Sequence, residues 1–257
     1  MRKIYSVVML CAMILLCCNS NAYSINLSIV VNKSKQTSLR LVQSSPEKLA
    51  YVSTVGEIEV LNHKTDNGNY FRLSIDRFGK SSKVGFPELP VMHQLMEIPL
   101  NASVEIEIVN SNVKEYRLSD KGLSTILVPN QFSQSKCGDS KAFEINNDIY
   151  SKNNFYAEDL VSVDILGVMR GVNIGRLNIS PVSYNPVTNI IKVVEDVEFV
   201  ITFVDGDMGL TTDLKLKTRS PYFDGIYNQL LNSQYNPKTR ENFTIYPMEE
   251  KEGIYSY

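Results

Sequence analysis

A hydrophobic period of two runs through this chain and constrains its fold more than any other feature. Ile25, Leu27, Ile29 and Val31 alternate with Asn26, Ser28 and Val30. Phe71, Leu73 and Ile75 alternate with Tyr70, Arg72 and Ser74, and Val104, Ile106 and Ile108 with Glu105 and Glu107. Val197, Phe199, Ile201 and Phe203 alternate with Glu198, Val200 and Thr202. Successive side chains of a strand point to opposite faces, so each run places one face on a core and the other in wetter surroundings. The pattern predicts that Phe71, Leu73, Ile106, Ile108, Phe199 and Ile201 are buried, and that Glu105, Glu107 and Glu198 face water or a partner. Turn chemistry separates the runs. Asp66-Asn67-Gly68-Asn69 precedes Tyr70, and Tyr184-Asn185-Pro186-Val187-Thr188-Asn189 joins residues 177–179 to residues 190–194. Between the N-terminal segment and residue 220 no helical stripe exceeds two turns. Many short strands with regular turns predict an all-β fold, one antiparallel β-sandwich of jelly-roll type over residues 25–205. Beyond it, residues 213–219 are basic and expected to be exposed. Phe223, Ile226, Leu230 and Leu231 fall near helical spacing after Ser220-Pro221, which predicts a short helical C-terminal linker. The β-domain is expected to end near residues 204–210.

The N-terminus follows different rules. Arg2 and Lys3 precede an uncharged, largely apolar run at residues 4–18, and Ser20 and Ala22 sit three and one positions before a possible cut. This is the three-part pattern of a secretory signal, with a run short for a membrane span. A lipoprotein signal ending at Cys17 or Cys18 is disfavoured because Leu16 stands where a small residue is expected. The predicted cut follows Ala22 and makes Tyr23 the new N-terminus. The expected domains are therefore a signal over 1–22, a β-sandwich over 23–210 and a linker region over 211–257. Arg2 and Lys3 leave with the signal, so 26 basic residues become 24 against 28 acidic ones, a net charge of −4. With no basic stripe to neutralise phosphates, nucleic acid is excluded as an expected partner. Cys11, Cys17 and Cys18 also leave, and Cys137 remains as the one cysteine of the mature part.

A search for chemistry finds little. His63 lies beside Asn62 and Lys64 in what reads as a turn, and His93 lies between Val91-Met92 and Leu95-Met96. Neither has an evident partner group, and a lone histidine is more often structural or solvated than catalytic. Metal-ligand spacings, the acidic calcium loop, the nucleophile elbow and the phosphate-cradling glycine loop are all absent from the sequence, so no metal or cofactor is expected. Cys137 sits in the polar run Gln134-Ser135-Lys136-Cys137-Gly138-Asp139, where a neighbouring lysine would lower its pKa. A catalytic cysteine also needs an oriented base, which the sequence does not supply, so no catalytic residue is assigned.

Several short motifs occur in a specific order. Gly85-x-Pro87-Glu88-Leu89-Pro90 is followed by Glu97-Ile98-Pro99 and then Val104-Glu105-Ile106-Glu107. Val128-Pro129-Asn130-Gln131 and Ser133-Gln134-Ser135-Lys136 come next, then Ile149-Tyr150 and Asn154-Phe155-Tyr156. Gly167-Val168-Met169-Arg170-Gly171, Pro181 and Tyr184-Asn185-Pro186 complete the set. In that order the motifs resemble the propeptide of gingipain-type cysteine peptidases over roughly residues 25–205. Residues 246–253, from Tyr246-Pro247-Met248 to Gly253, look like the first residues of a mature arginine gingipain. The family's catalytic histidine stands in a His-Gly pair, whereas His63 precedes Lys64 and His93 precedes Gln94.

The resemblance implies an exported propeptide, periplasmic, secreted or at the cell surface of a Gram-negative-type bacterium. Its expected role is inhibitor and folding aid of a gingipain-type catalytic domain in cis or in trans, from a zymogen truncated after its propeptide. It places the family's inhibitory loop between residues 130 and 141, with Lys136 as the side chain entering the specificity pocket. It also implies a basic processing site between the two matched blocks, at Arg240 or Arg219. Pro87 and Pro90 are expected to hold the backbone extended at the entry to a sheet. An exported binding or adhesion module without a peptidase partner is the other reading, since β-sandwiches serve both purposes. Scattered tyrosines and the lack of tryptophan argue against a sugar-binding face.

Overall fold

The computed structural model describes residues 27–133, 141–218 and 220–232. In chain order the strands are β1 (Leu27–Val30), β2 (Ser38–Ser44), β3 (Lys48–Thr54), β4 (Glu57–Thr65), β5 (Gly68–Ser74) and β6 (Gly79–Lys80). There follow β7 (Pro90–Glu97), β8 (Ser103–Arg117), β9 (Ile126–Leu127), the single-turn helix α1 (Asn147–Tyr150), β10 (Val161–Met169) and β11 (Val172–Ile179). β12 (Val182–Asn185), β13 (Ile190–Val204), α2 (Met208–Thr218) and α3 (Asp224–Tyr227) complete the described chain.

The alternation at Val197–Phe203 belongs to β13, the longest strand together with β8. On one side β13 pairs with β12 and β3, on the other with β8, and β2 extends the sheet beyond β3. All these pairings are antiparallel. The odd-numbered residues of β13 from Ile191 to Phe203 are buried and the even-numbered ones are half-buried. This one face supports two cores. Ile191 and Val193 pack with Ile29, Ile58, Val60, Phe71 and Leu73 of the sheet β1-β4-β5-β9. Val197, Phe199, Ile201 and Phe203 pack with Met92, Met96, Leu177 and Ile179 of the sheet β10-β11-β7-β6. The fold is thus a β-sandwich whose second layer is split into two sheets. Between the two cores β13 carries Glu195, which is 5% exposed. Its carboxylate accepts bonds from Asn32, from Asn112 at 3.0 Å and from Lys114 at 2.7 Å, as a buried charge requires.

Four expectations need correction. Ile106 is only half-buried and Ile108 is 41% exposed. Alternation records which face a side chain takes, and here the strand is the sheet's edge: among the described strands β8 pairs with β13 alone, and Val104 is the residue that reaches the core. The turn after Tyr184 joins β12, not residues 177–179, to β13. His63 lies inside β4 opposite Tyr70, not in a turn. Residues 208–218 form the three-turn helix α2, in a region where the sequence shows no helical stripe. Its attachments are polar. Asp207 accepts from the Leu210 N–H at 2.8 Å, and the Leu100 N–H donates to Thr211 Oγ1 at 2.8 Å. With no apolar stripe to bury, the helix leaves no periodic trace.

Candidate functional site

Two surface features are built by the motifs quoted above. The first is the base of the loop over residues 131–145. The segment 85–88 holds both of its ends. Gly85 N–H donates to the Asn130 carbonyl at 2.8 Å, and Asn130 N–H donates to Phe86 at 2.8 Å. Glu88 N–H donates to Val128 at 2.9 Å, and on the outgoing side Asn146 N–H donates to Gly85 at 2.9 Å. Gly85 has φ +79, and a Cβ there would lie 3.2 Å from the Asn146 nitrogen, so both conformation and space call for glycine. Pro87 faces Pro129 in an isolated bridge, and β7 begins at Pro90, the strand-entry position where proline's missing N–H does least harm. Asn130 also donates its side-chain amide to Ser81 Oγ at 2.7 Å.

Glu88 anchors this segment. It is 3% exposed and ion-paired to Arg72 and, at 3.0 Å, to Lys80. Tyr150 of α1 donates its hydroxyl to the Leu127 carbonyl at 2.8 Å, and burial pushes its phenol well above the ordinary value. His63 shares a cleft with Arg72, Lys80, Glu88 and the loop residues Gln131, Phe132 and Lys141. Partial burial lowers its imidazole pKa from 6.5, and the nearby Arg72 guanidinium acts in the same direction.

Above the base the loop narrows to a neck. The Gln131 carboxamide donates from Nε2 to the Glu144 carbonyl at 2.8 Å and accepts the Glu144 N–H on Oε1 at 2.9 Å. Lys141 Nζ lies 4.1 Å from the centre of the Phe132 ring, and the Phe143 ring lies 5.6 Å from that of Tyr70.

The second feature is a socket for the C-terminal segment. The two-residue turn Arg170-Gly171 between β10 and β11 has φ of 45° and 78°, the conformation that tight hairpins demand. A Cβ on Gly171 would lie 2.2 Å from Thr218 Oγ1 and 2.8 Å from the Leu214 carbonyl oxygen, so α2 can seat only against glycine. Thr218 Oγ1 donates to the Arg170 carbonyl at 2.7 Å, and the Arg170 guanidinium lies 4.4 Å from the Phe223 ring centre. Tyr227 and Leu230 pack on Val172 and Ile174. At the end of the described chain Glu97 N–H donates to Asn232 Oδ1 at 2.8 Å, and Asn232 Nδ2 donates to the Glu97 carbonyl at 2.9 Å. Lys215 Nζ lies 2.7 Å from the Glu97 carboxylate.

Lys136, Cys137, Arg219, Arg240, Ala22 and Tyr23 all lie outside the described residues. His93 is exposed on β7, its Nδ1 2.8 Å from Asn178 Oδ1, and is not brought near His63 by any shared sheet. Among the described residues no group of three or more His, Cys, Asp or Glu side chains is placed to hold a metal, and no helix is long and apolar enough to cross a membrane. Sequence reasoning quoted Gln131 and Glu88 only as letters in motifs and missed that they fasten a loop.

The sandwich pins both feet of one loop and seats its own C-terminal segment, and the comparisons define the class as peptidase propeptides. The family model Propeptide_C25 matches residues 30–217, and the chain belongs to that family. Lys-gingipain of Porphyromonas gingivalis is 34% identical over 178 residues, covering 68% of this chain and 10% of that protein. Gingipain R1 of Porphyromonas gingivalis is 21% identical over 122 residues, covering 47% of this chain and 12% of that protein. The chain thus spans about a tenth of the length of the curated relatives it matches. A structure described as giving insight into the zymogenic latency of gingipain K from Porphyromonas gingivalis superposes with a TM-score of 0.66 and 29% identity, covering 71% of this chain and all of that one. The complex of the Porphyromonas gingivalis RgpB pro- and mature domains superposes with a TM-score of 0.60 over 78% of this chain and all of that one, at 16% identity, a likeness of fold.

Proposed function

We propose that this chain is the exported propeptide of a gingipain-type cysteine peptidase, that it keeps the catalytic domain inactive, and that it aids its folding. It carries no catalytic residue of its own. The partner is a gingipain-type catalytic domain, bound in cis before processing or in trans after it. The loop over residues 131–145 lies in the peptidase cleft and presents Lys136 to a pocket that binds a basic side chain. The observation that carries this reading is the attachment of both ends of that loop to one segment, residues 85–88. A loop fixed at both feet loses less conformational freedom on binding than a free peptide, so more of its contact energy survives as affinity. Latency of gingipain K and the paired RgpB pro- and mature domains, as those structures are described, support the same role. The higher identity to Lys-gingipain than to gingipain R1 favours a lysine-directed partner. A signal over 1–22, cut between Ala22 and Tyr23, delivers the domain, and a cut at Arg240 or Arg219 separates it.

Residues 23–257 should inhibit an isolated gingipain-type catalytic domain, and Lys136→Ala should weaken inhibition about tenfold, equivalent to about 1.4 kcal/mol. Failure of the unaltered chain to bind a gingipain-type catalytic domain whose catalytic cysteine is replaced by alanine, with its cleft left open, would sink the propeptide reading in favour of an independent binding module. Normal inhibition by the alanine variant would move the contact to another side chain.

A further inference from the structure

We infer that Gln131 is a positioning residue that makes the loop an inhibitor and not a substrate. This rests on the inhibitory reading proposed above. A loop that imitates a substrate is open to the same attack as a substrate. The peptidase thiolate adds to the scissile carbonyl, the C–N bond breaks, and the amine leaves with a proton, giving a thioester and a free amino end. Two outcomes then compete. If the amine stays in place it attacks the thioester, re-forms the peptide bond and restores the thiol. If it drifts away, water attacks instead, leaving a carboxylate and an ammonium end in a cut loop. Holding the amine in place gives it a high effective concentration over water.

The neck supplies that hold. Gln131 and Glu144 flank Lys136 in the sequence, and the two hydrogen bonds between them join the two sides of the loop independently of the chain that runs between them. The carboxamide serves both the N–H and the C=O of Glu144, as a neighbouring strand would. Its chemistry is specific: a carboxylate can accept from Glu144 N–H but cannot donate to its carbonyl, and a thioether can do neither. Nε2 also lies 3.0 Å from the Pro129 carbonyl and 3.1 Å from that of Asn130, so the amide is oriented from its own side as well. Lys141 over Phe132 is a second, exposed tie across the same neck.

The test uses the full mature chain with a gingipain-type catalytic domain. Inhibition is followed over time, and cuts within residues 132–143 are read by mass spectrometry. The unaltered chain should inhibit and stay intact. Gln131→Met should be cut in that span about tenfold faster or more, with inhibition decaying in step. Gln131→Glu, which keeps one of the two bonds, should fall between. Lys141→Ala, on an exposed side chain whose loss leaves the fold intact, should raise cutting about twofold to threefold as the weaker of the two ties. Melting temperatures should agree within about 2 °C, so that faster cutting is not general unfolding. Equal cutting of all four chains, with inhibition by all, overturns the role of Gln131. Failure of the unaltered chain to inhibit overturns instead the reading on which it rests.

Discussion

The loop neck and the C-terminal socket use the same device in different surroundings. In each a side-chain amide reads the N–H and the C=O of one glutamate: Gln131 on Glu144, and Asn232 on Glu97. Glu144 is exposed, and the contacts flanking it, Phe132 and Lys141, are exposed too. Asn232 is 9% exposed and is flanked by the buried Tyr227 and Leu230, with the side chains of Glu97 and Lys215 mostly covered. Where water can replace a lost hydrogen bond, the bond adds little stability and mainly fixes geometry. Where water cannot enter, losing it strands a donor and an acceptor and costs their full desolvation. The neck is therefore a device for shape and the socket a device for cohesion.

The sharpest way to break this contrast is at Gly171. Gly171→Val places a side chain where Thr218 and the Leu214 carbonyl already sit, at a positive φ. It should cost about 3 kcal/mol or more, seen as a lower urea midpoint, with tryptic cuts at Lys215 and Lys217 preceding any cut in the sandwich. An unchanged midpoint would mean that the socket contributes nothing to cohesion. Next, Asn232→Ala should cost about 1–3 kcal/mol, while Gln131→Ala should cost less than about 1. Equal losses at the two sites would erase the distinction. Smaller again, Lys215→Ala leaves the Glu97 carboxylate without its partner and should cost about 1 kcal/mol, a value between exposed and buried pairs.

The smallest effect concerns pH. His63, near the loop, has its pKa lowered from 6.5 by burial and by Arg72, so the unfolded chain takes up a proton first. Its contribution to stability is full above about pH 6.5 and is lost as the pH falls through the lowered value of the folded state. The urea midpoint should therefore decline slightly between pH 7.5 and 5.5, and His63→Gln should flatten part of that slope. A slope that is the same in His63→Gln assigns the effect to other groups.

Much of the fold is legible in the sequence because alternation reports a physical constraint. Phe71, Leu73, Phe199 and Ile201 are buried as their period requires. Ile108 carries the same signal and is exposed, since the period cannot say whether a second layer covers that end of the strand. The division into two cores is invisible because β13 alternates without a break through both, with Glu195 at the joint. α2 is invisible because threonine, lysine and aspartate side chains dock it. The neck escaped for a different reason: Gln131 meets its partner 13 residues away, and nothing in either residue type announces the pairing.

The position of β13 in both cores governs when the fold can form. Among the described strands of the central sheet, only β2 and β3 find each other before residues 190–204 have been made. β3 waits for a partner 142–154 residues downstream and β8 for one 73–101 residues downstream, and pairings at such separation close slowly. A ribosome-bound chain lacking its last long strand therefore holds two half-walls with nothing between them. Burial of both cores is therefore a late and joint event, since neither outer sheet has a facing layer until residues 190–204 exist.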